Sequence, residues 1–522
     1  MRLVRRRALR HRQGRASTRF FFWLLLLETL VVAFAGPVFG IVLLGLVIGY
    51  AAFTRVPVEV LLPVFIFLVM ALDNPANQPA DGMWESPFLG LGGLLFENRK
   101  PLPFSLIDIS IGFMALRSIS AIIARANAGS RSGDVVGVPP RVFLRAAQIS
   151  VFAILWHLVH GIYSGGDWKQ GLYQTRTILW LPMLAIAVAS ITTLTTIRHI
   201  ERAVLWGAVI KALTGMWFYM TVAKPDKLNP AYVGTHSDSV MYALVVAMLG
   251  ARWFESRTRA SRRRLMWALP FFFAAMTFNG RRIVYVGVAG AIAYLVAMTS
   301  REAKRKVMSL VLALSPLIVV YIGIGLKSNA KPFYPVKMIN GVIFQDDRSS
   351  QTRDVENFNL FVTYIQNPIL GPGAGHEYIE YIQGDDISKQ FPQYRYLPHN
   401  SYLGLWAFAG GPVTMLYWLT VFVAVYCATS SLRRSRSPDI RAAAIWAVGG
   451  IISYLVQTYG DVGLFDWTPT IIAGLCCGIG GGLIPLVVAE EQLAEEQLAE
   501  EQLAEEQLAY GQSADDQERF LS

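Results

Sequence analysis

The chain has 522 residues, 54% of them hydrophobic and 16% charged, with a mean hydropathy of +0.41. Its apolar residues fall in blocks close to the ~20 residues that cross a bilayer, which excludes a soluble globular enzyme and makes this an all-α polytopic membrane protein. The net charge of +11 does not imply a nucleic-acid partner, because Lys and Arg gather in short segments between apolar blocks, as the positive-inside bias requires.

Residues 1–19 form a basic stretch without an acidic residue that runs straight into the apolar block 20–35. No small-residue cleavage site follows, so the first helix is read as retained rather than removed as a signal. A spanning window then marks 20–35, 38–54, 57–72, 102–124, 143–163, 176–196, 202–222, 239–254, 265–279, 283–300, 307–326, 402–427, 441–459 and 467–488. The weakest are 57–72 and 102–124, the latter carrying Asp108 and Arg117, so the expectation is about 12–14 transmembrane helices. With a cytoplasmic N-terminus, the basic runs 125–145, 252–264 with its six Arg, 301–306 and 433–441 all fall on the cytoplasmic side. The organisation is then a basic N-terminus (1–19), helices (20–326), a large external loop (327–401), further helices (402–488) and an acidic tail (489–522).

The external loop carries seven Lys plus Arg against eight Asp plus Glu, without positive-inside character. Loops of this length in compact proteins are functional or disordered. The Gly-Pro-Gly-Ala-Gly run 371–375 and many aromatic residues predict order, with short helices over 355–366 and 377–383 lying on the membrane surface. The tail repeats Ala-Glu-Glu-Gln-Leu, placing Leu493, Leu498, Leu503 and Leu508 five residues apart. Five residues turn a helix by about 500°, so these leucines make no heptad stripe, and a solvated acidic segment is expected. Cys427, Cys476 and Cys477 all lie inside apolar blocks, which predicts neither a disulfide framework nor a thiolate metal site.

On the external side, Pro398-His399-Asn400-Ser401-Tyr402 marks the passage from the loop into an apolar helix. The ordinary reading is a helix start capped by Asn400 or Ser401; the functional one makes His399 a base, imidazole being the side chain suited to taking a proton near neutral pH. His376, in mid-loop, is the weaker candidate. Asn279-Gly280-Arg281-Arg282 is a tight external turn whose paired arginines run against the positive-inside bias. They either snorkel to the interface or clamp a phosphate through charge-assisted hydrogen bonds. Arg176, at the external start of its helix, is an interfacial anchor or a further cation for the same anion. Arg348 and Arg353 either pair with Asp346, Asp347, Asp354 or Glu356, or face the site.

An Arg ahead of a helix, then Asn-Pro-x-x-Gly-x-Gly-x-Gly, then about 25 residues later Pro-His-Asn-Ser-Tyr-Leu entering a Gly-containing helix, resembles the O-antigen ligase and polymerase superfamily over roughly 265–460. Phe358 stands where that family commonly has Trp, so Arg353 and Arg348 both remain counterparts of its loop arginine, and the doubled Arg281-Arg282 leaves a similar choice. The resemblance implies a GT-C-like fold in the bacterial cytoplasmic membrane, working on its external face. It implies a polyprenyl-diphosphate-linked oligosaccharide as donor and, as acceptor, another lipid-linked repeat unit (polymerase) or a glycolipid core (ligase). His399 would be the essential loop histidine, with Arg281 or Arg282, Arg176, and Arg353 or Arg348 on the diphosphate. Asn400, Gly373, Gly375 and Tyr402 would support the loop. Membrane lipids and other envelope-polysaccharide assembly proteins are the further partners expected.

This chemistry needs no cofactor, since diphosphate is already a good leaving group whose developing charge fixed arginines can stabilise. No His/Cys cluster at metal spacing occurs, although Asp346-Asp347 and Asp385-Asp386 keep a metal-dependent variant open. The rival reading is a transporter or flippase of the same lipid-linked sugar. It fits less well because the polar features gather on one side, and Glu28, Asp108 and His157 are too scattered to trace a path. Length and helix number favour polymerase slightly over ligase.

Overall fold

A computed structural model describes residues 56–72, 105–132, 138–223, 235–256, 258–281, 283–298, 301–328, 333, 335–337, 348–384, 388 and 393–521. The chain divides into two units, 1–61 and 62–522. Of the first, the described residues are 56–61, where α1 (Val58–Leu72) begins. The second unit continues with α2 (Leu106–Ser132), α3 (Arg141–Tyr163), α4 (Trp168–Ile191), α5 (Leu194–Phe218, ending in a π-turn, Tyr219–Ala223) and α6 (His236–Ser256). Then come α7 (Arg259–Asn279), α8 (Ile283–Met298), α9 (Arg301–Lys327), α10 (Arg348–Gln366), α11 (Ser401–Arg434), α12 (Pro438–Gly460) and α13 (Trp467–Leu521).

Among the described residues, seven stretches, in α2 to α5 and α11 to α13, are long and apolar enough to cross a membrane, and shorter apolar helices lie at Val58–Leu72, Ile283–Met298 and Val311–Lys327. This is the all-α polytopic membrane architecture expected. The predicted spans 20–35 and 38–54 lie outside the described residues, as does the first external loop, 73–101. The weakly marked segments 57–72 and 102–124 are helical over Val58–Leu72 and, of the second, from Leu106 onward. Asp108, the residue that weakened the second, belongs to its N-terminal cap: it accepts from the Ser105 backbone (2.7 Å) and hydroxyl (2.8 Å), and from Trp180 Nε1 (2.6 Å).

Two helix starts and one short element depart from the sequence expectation. α4 starts at Trp168 rather than near 176, because Asp167 caps it, accepting from the amides of Lys169 (2.8 Å) and Gln170 (2.9 Å). Arg176 therefore sits two turns inside the helix. The loop helix expected at 355–366 begins earlier, at Arg348. The helix expected over 377–383 is absent, because its amides are used elsewhere: Tyr378 N–H donates to Arg395 O, Ile379 N–H to Thr363 Oγ1 and Ile382 N–H to Asn359 Oδ1.

α12 lies at the centre, packed by α6, α8, α11 and α13. Small residues let these helices approach: Gly449 faces Ala247 and Ala291, and Gly450 faces Cys476 and Leu244. Among helices in lipid, close packing replaces the hydrophobic drive available in water, so a bulky residue at such a point would push a whole helix away. Trp418, Trp446, Tyr417 and Tyr454 are the largest fully buried side chains. By contrast α9 exposes Leu312, Leu317, Val319 and Val320, an apolar surface suited to lipid.

Alternation along the chain puts the α3–α4, α7–α8 and α12–α13 turns and the long loop at one end of the bundle. The opposite end is tied by ion pairs. Arg252 bridges Glu201 (2.7 Å) and Asp439, Arg441 meets Glu255 (2.7 Å), and Arg434 meets Glu491 (2.5 Å) where α13 emerges into the repeat tail. The tail continues α13 as a helix with Leu493, Leu498 and Leu503 exposed.

Candidate functional site

The loop reaches the bundle through its glycines. Gly371, Gly373 and Gly375 have φ of 62°, 94° and 87°, a region that side chains disfavour. The backbone they shape is fastened on two sides. Towards α3 and α4, Ala374 N–H donates to His157 O (3.2 Å), Asp167 N–H to Gly375 O (2.9 Å), and Gln174 both accepts from Gly375 N–H and donates to Tyr396 O (2.7 Å). Towards α11, Gly373 N–H donates to Phe408 O (2.9 Å) and Gly411 N–H to Pro368 O (2.8 Å). The second set is reachable because Gly410 breaks α11 with a φ of 72°. A Cβ on Gly373 would lie 2.3 Å from the Gly161 Cα, and one on Gly410 would lie 2.2 Å from Ile369 O. His376 is held in this frame by Ser164 Oγ (3.0 Å).

The same frame fixes the start of α11. Asn400 is the N-cap, its Oδ1 accepting from Leu403 N–H (3.1 Å) while its Nδ2 donates to Asn357 Oδ1 (2.9 Å). Tyr402, in the first turn, lies against Trp418 and Trp406, with ring centroids 5.7 and 6.4 Å apart.

His399, immediately before the cap, is where the sequence reading missed a partner. Glu356, on α10 and 7% exposed, accepts from the His399 backbone N–H at 3.2 Å and faces its Nδ1 at 3.2–3.3 Å. The carboxylate requires the proton on Nδ1, which puts the lone pair of the neutral ring on Nε2, and the side chain is 34% exposed. This hydrogen bond raises the His399 pKa above its usual 6.5 against the opposing effect of burial; Asp461 raises it further and Arg353 lowers it.

Asp461 follows α12 and is 3% exposed. Its carbonyl accepts from Ser401 Oγ at 3.0 Å, which ties the α12–α13 loop to the head of α11. The same loop reaches the remaining cations. Gly460, beside Asp461, packs directly on Ile283, two residues past Arg281. Trp467, at its other end, stacks under the Arg176 guanidinium at 5.1 Å, and Tyr173 lies 4.9 Å from that group. Arg353 acts electrostatically on His399 from one turn before Glu356. The head of α11, α10 and the α12–α13 loop thus bring His399, Glu356, Asp461 and Arg353 together, Trp467 of that loop reaches Arg176, and Gly460 of the same loop packs on Ile283, beside the α7–α8 turn that carries Arg281. Arg282 and the Arg348 side chain lie outside the described residues, as do Asp346, Asp347, Asp385 and Asp386. Among the described residues no three His, Cys, Asp or Glu side chains are grouped to hold a metal ion.

Chemically, an imidazole with Nδ1 anchored to a buried carboxylate and its lone pair on Nε2 can take a proton, and arginines nearby can stabilise an anion. Residues 267–419, from α7 into α11, match the family model described as O-antigen ligase. That segment carries the α7–α8 turn, α10, the glycine loop and the His399 junction, and it is this part of the chain that is similar to the O-antigen ligase family. No curated protein matches the chain.

Proposed function

We propose that the chain moves a glycan from a polyprenyl-diphosphate donor to a hydroxyl of an acceptor glycan at the external face of the bacterial cytoplasmic membrane, with polymerase favoured over ligase. The O-antigen ligase domain supports glycosyl transfer of this general kind. The observation that carries the finer reading is the His399–Glu356 pair at the head of α11, flanked by Asp461 and Arg353.

In this mechanism neutral His399 takes the proton of the acceptor hydroxyl at Nε2 as that oxygen attacks the anomeric carbon. The bond from the anomeric carbon to the diphosphate oxygen breaks, and the leaving group departs with the electron pair. Attack opposite the leaving group inverts the anomeric configuration. Glu356 holds the imidazole in the needed tautomer and stabilises the imidazolium that forms, as a buried carboxylate does in hydrolase triads. Arg353, Arg281 or Arg282, and Arg176 stabilise the charge growing on the diphosphate, with Arg348 as the alternative loop arginine.

Reconstitution with a polyprenyl-diphosphate oligosaccharide tests the proposal. Growth of glycan on the carrier is the polymerase outcome, and glycan delivered to a lipid A-type acceptor is the ligase outcome. Full turnover by His399→Ala would remove the base, and movement of substrate across the bilayer without glycan growth would return the transporter reading.

A further inference from the structure

The opposite end of the bundle holds a feature that sugar transfer leaves unused. Between α5, α6 and α7 runs a groove of about 480 Å³ walled by Leu205, Trp206, Val209, Trp267, Phe271 and Phe272. It continues into a polar cavity of about 340 Å³ lined by Arg198, Arg202, Arg252 and Arg264 together with Glu201 and Asp439. Leu205, Leu249 and Arg264 line both, so an apolar trough leads directly into a cationic head.

The charges in that head do not balance. Arg252 is taken up by Glu201 and Asp439, and Arg198 shares Asp439 at 2.6 Å. Two carboxylates against four guanidinium groups leave an excess of two positive charges. Arg202 and Arg264 are exposed and form no ion pair with a carboxylate among the described residues. Arg264 lies in the second turn of α7, after Arg259, Arg262 and Arg263, so four cations crowd a helix N-terminus whose own dipole is already positive. Positive-inside topology accounts for arginines in this connection, but not for their convergence from α5 and α7 on the mouth of an apolar trough. Trp206 and Trp267, 59% and 80% exposed, flank the trough as aromatic side chains do at a membrane interface.

We propose that this groove binds an anionic glycerophospholipid, its phosphate between Arg202 and Arg264 and an acyl chain along Trp206, Trp267 and Phe271. Charge complementarity selects this occupant. Free phosphate would leave the apolar trough unfilled, and a zwitterionic lipid would bring its own cation against the arginines.

The experiment is native mass spectrometry of the full chain after equilibration in mixed phosphatidylglycerol and phosphatidylcholine nanodiscs, which reads retained lipid rather than activity. The intact protein is expected to retain phosphatidylglycerol over phosphatidylcholine. Arg202→Gln/Arg264→Gln is expected to lower that retention about tenfold or more, each cation near a membrane surface contributing appreciably to anionic lipid binding. The comparison variant Arg433→Gln/Arg436→Gln, which removes cations of the same end outside the groove, is expected to leave it unchanged. Brominated phosphatidylglycerol should quench tryptophan fluorescence more in the intact protein than in Trp206→Phe/Trp267→Phe. Equal retention of both lipids, an equal loss in the comparison variant, or saturation of the site by inorganic phosphate alone would overturn the proposal.

Discussion

At the scale of single residues, the proton affinity of His399 governs what can be measured first. Its hydrogen bond to Glu356 raises its pKa above 6.5, and a base must be neutral to act, so kcat is expected to rise with pH through a midpoint above that value. Glu356→Gln removes the charge responsible. The acid limb of the pH–rate profile should then move to lower pH while the plateau falls, because an amide cannot stabilise the imidazolium. A carboxylate that merely props up the loop would lower kcat without moving the limb. His399→Ala should cost on the order of 10² to 10⁴ in kcat, read as initial rate of glycan growth. His399 could be read from the sequence because an imidazole at a helix mouth is conspicuous. Glu356 could not: it lies 43 residues away, in an acidic stretch where a local pair with Arg353 is the simpler expectation. Asp461 was hidden by distance, since nothing local shows that the turn after α12 meets the head of α11.

Among the elements, the glycine loop makes the sharpest claim. Gly165 and Gly373 both have positive φ, 97° and 94°, but a Cβ on Gly165 meets nothing within 4 Å whereas one on Gly373 meets Gly161. Gly165→Ala should therefore lose only the backbone term of about 1–2 kcal/mol. Gly373→Ala should lose more, and should also lower activity by lifting the loop from α3; thermal midpoints in detergent alongside turnover separate the two. The helices themselves were legible because apolar runs of spanning length admit few other structures, and even 102–124 survived once Asp108 proved to be a cap. The failure at 377–383 has the opposite origin. A short amphipathic segment carries little helical preference of its own, and Thr363 and Asn359 offered its amides better partners.

For the whole molecule, the ion pairs opposite the site hold five helices in register. Arg252 is 17% exposed and Glu201 12%, with Trp446 Nε1 also donating to Glu201 at 3.0 Å. Arg252→Met should destabilise by about 3–5 kcal/mol because it strands Glu201, Asp439 keeping Arg198 as its partner, while Arg252→Met/Glu201→Gln should recover part of the loss. Thermal unfolding of the single and double variants measures that recovery, and equal losses would mean the pair is already dissolved in solvent. The backbone contacts around Gly161, Gly373 and Gly410 carry a separate implication. Main chain sets where the glycine loop lies against α3 and α11, while the Glu356 carboxylate holds the imidazole, so residues outside this frame can be exchanged without moving either. On the proposed function, altered sugar specificity should thus be obtainable by exchanging residues outside this frame, with His399 and Glu356 kept.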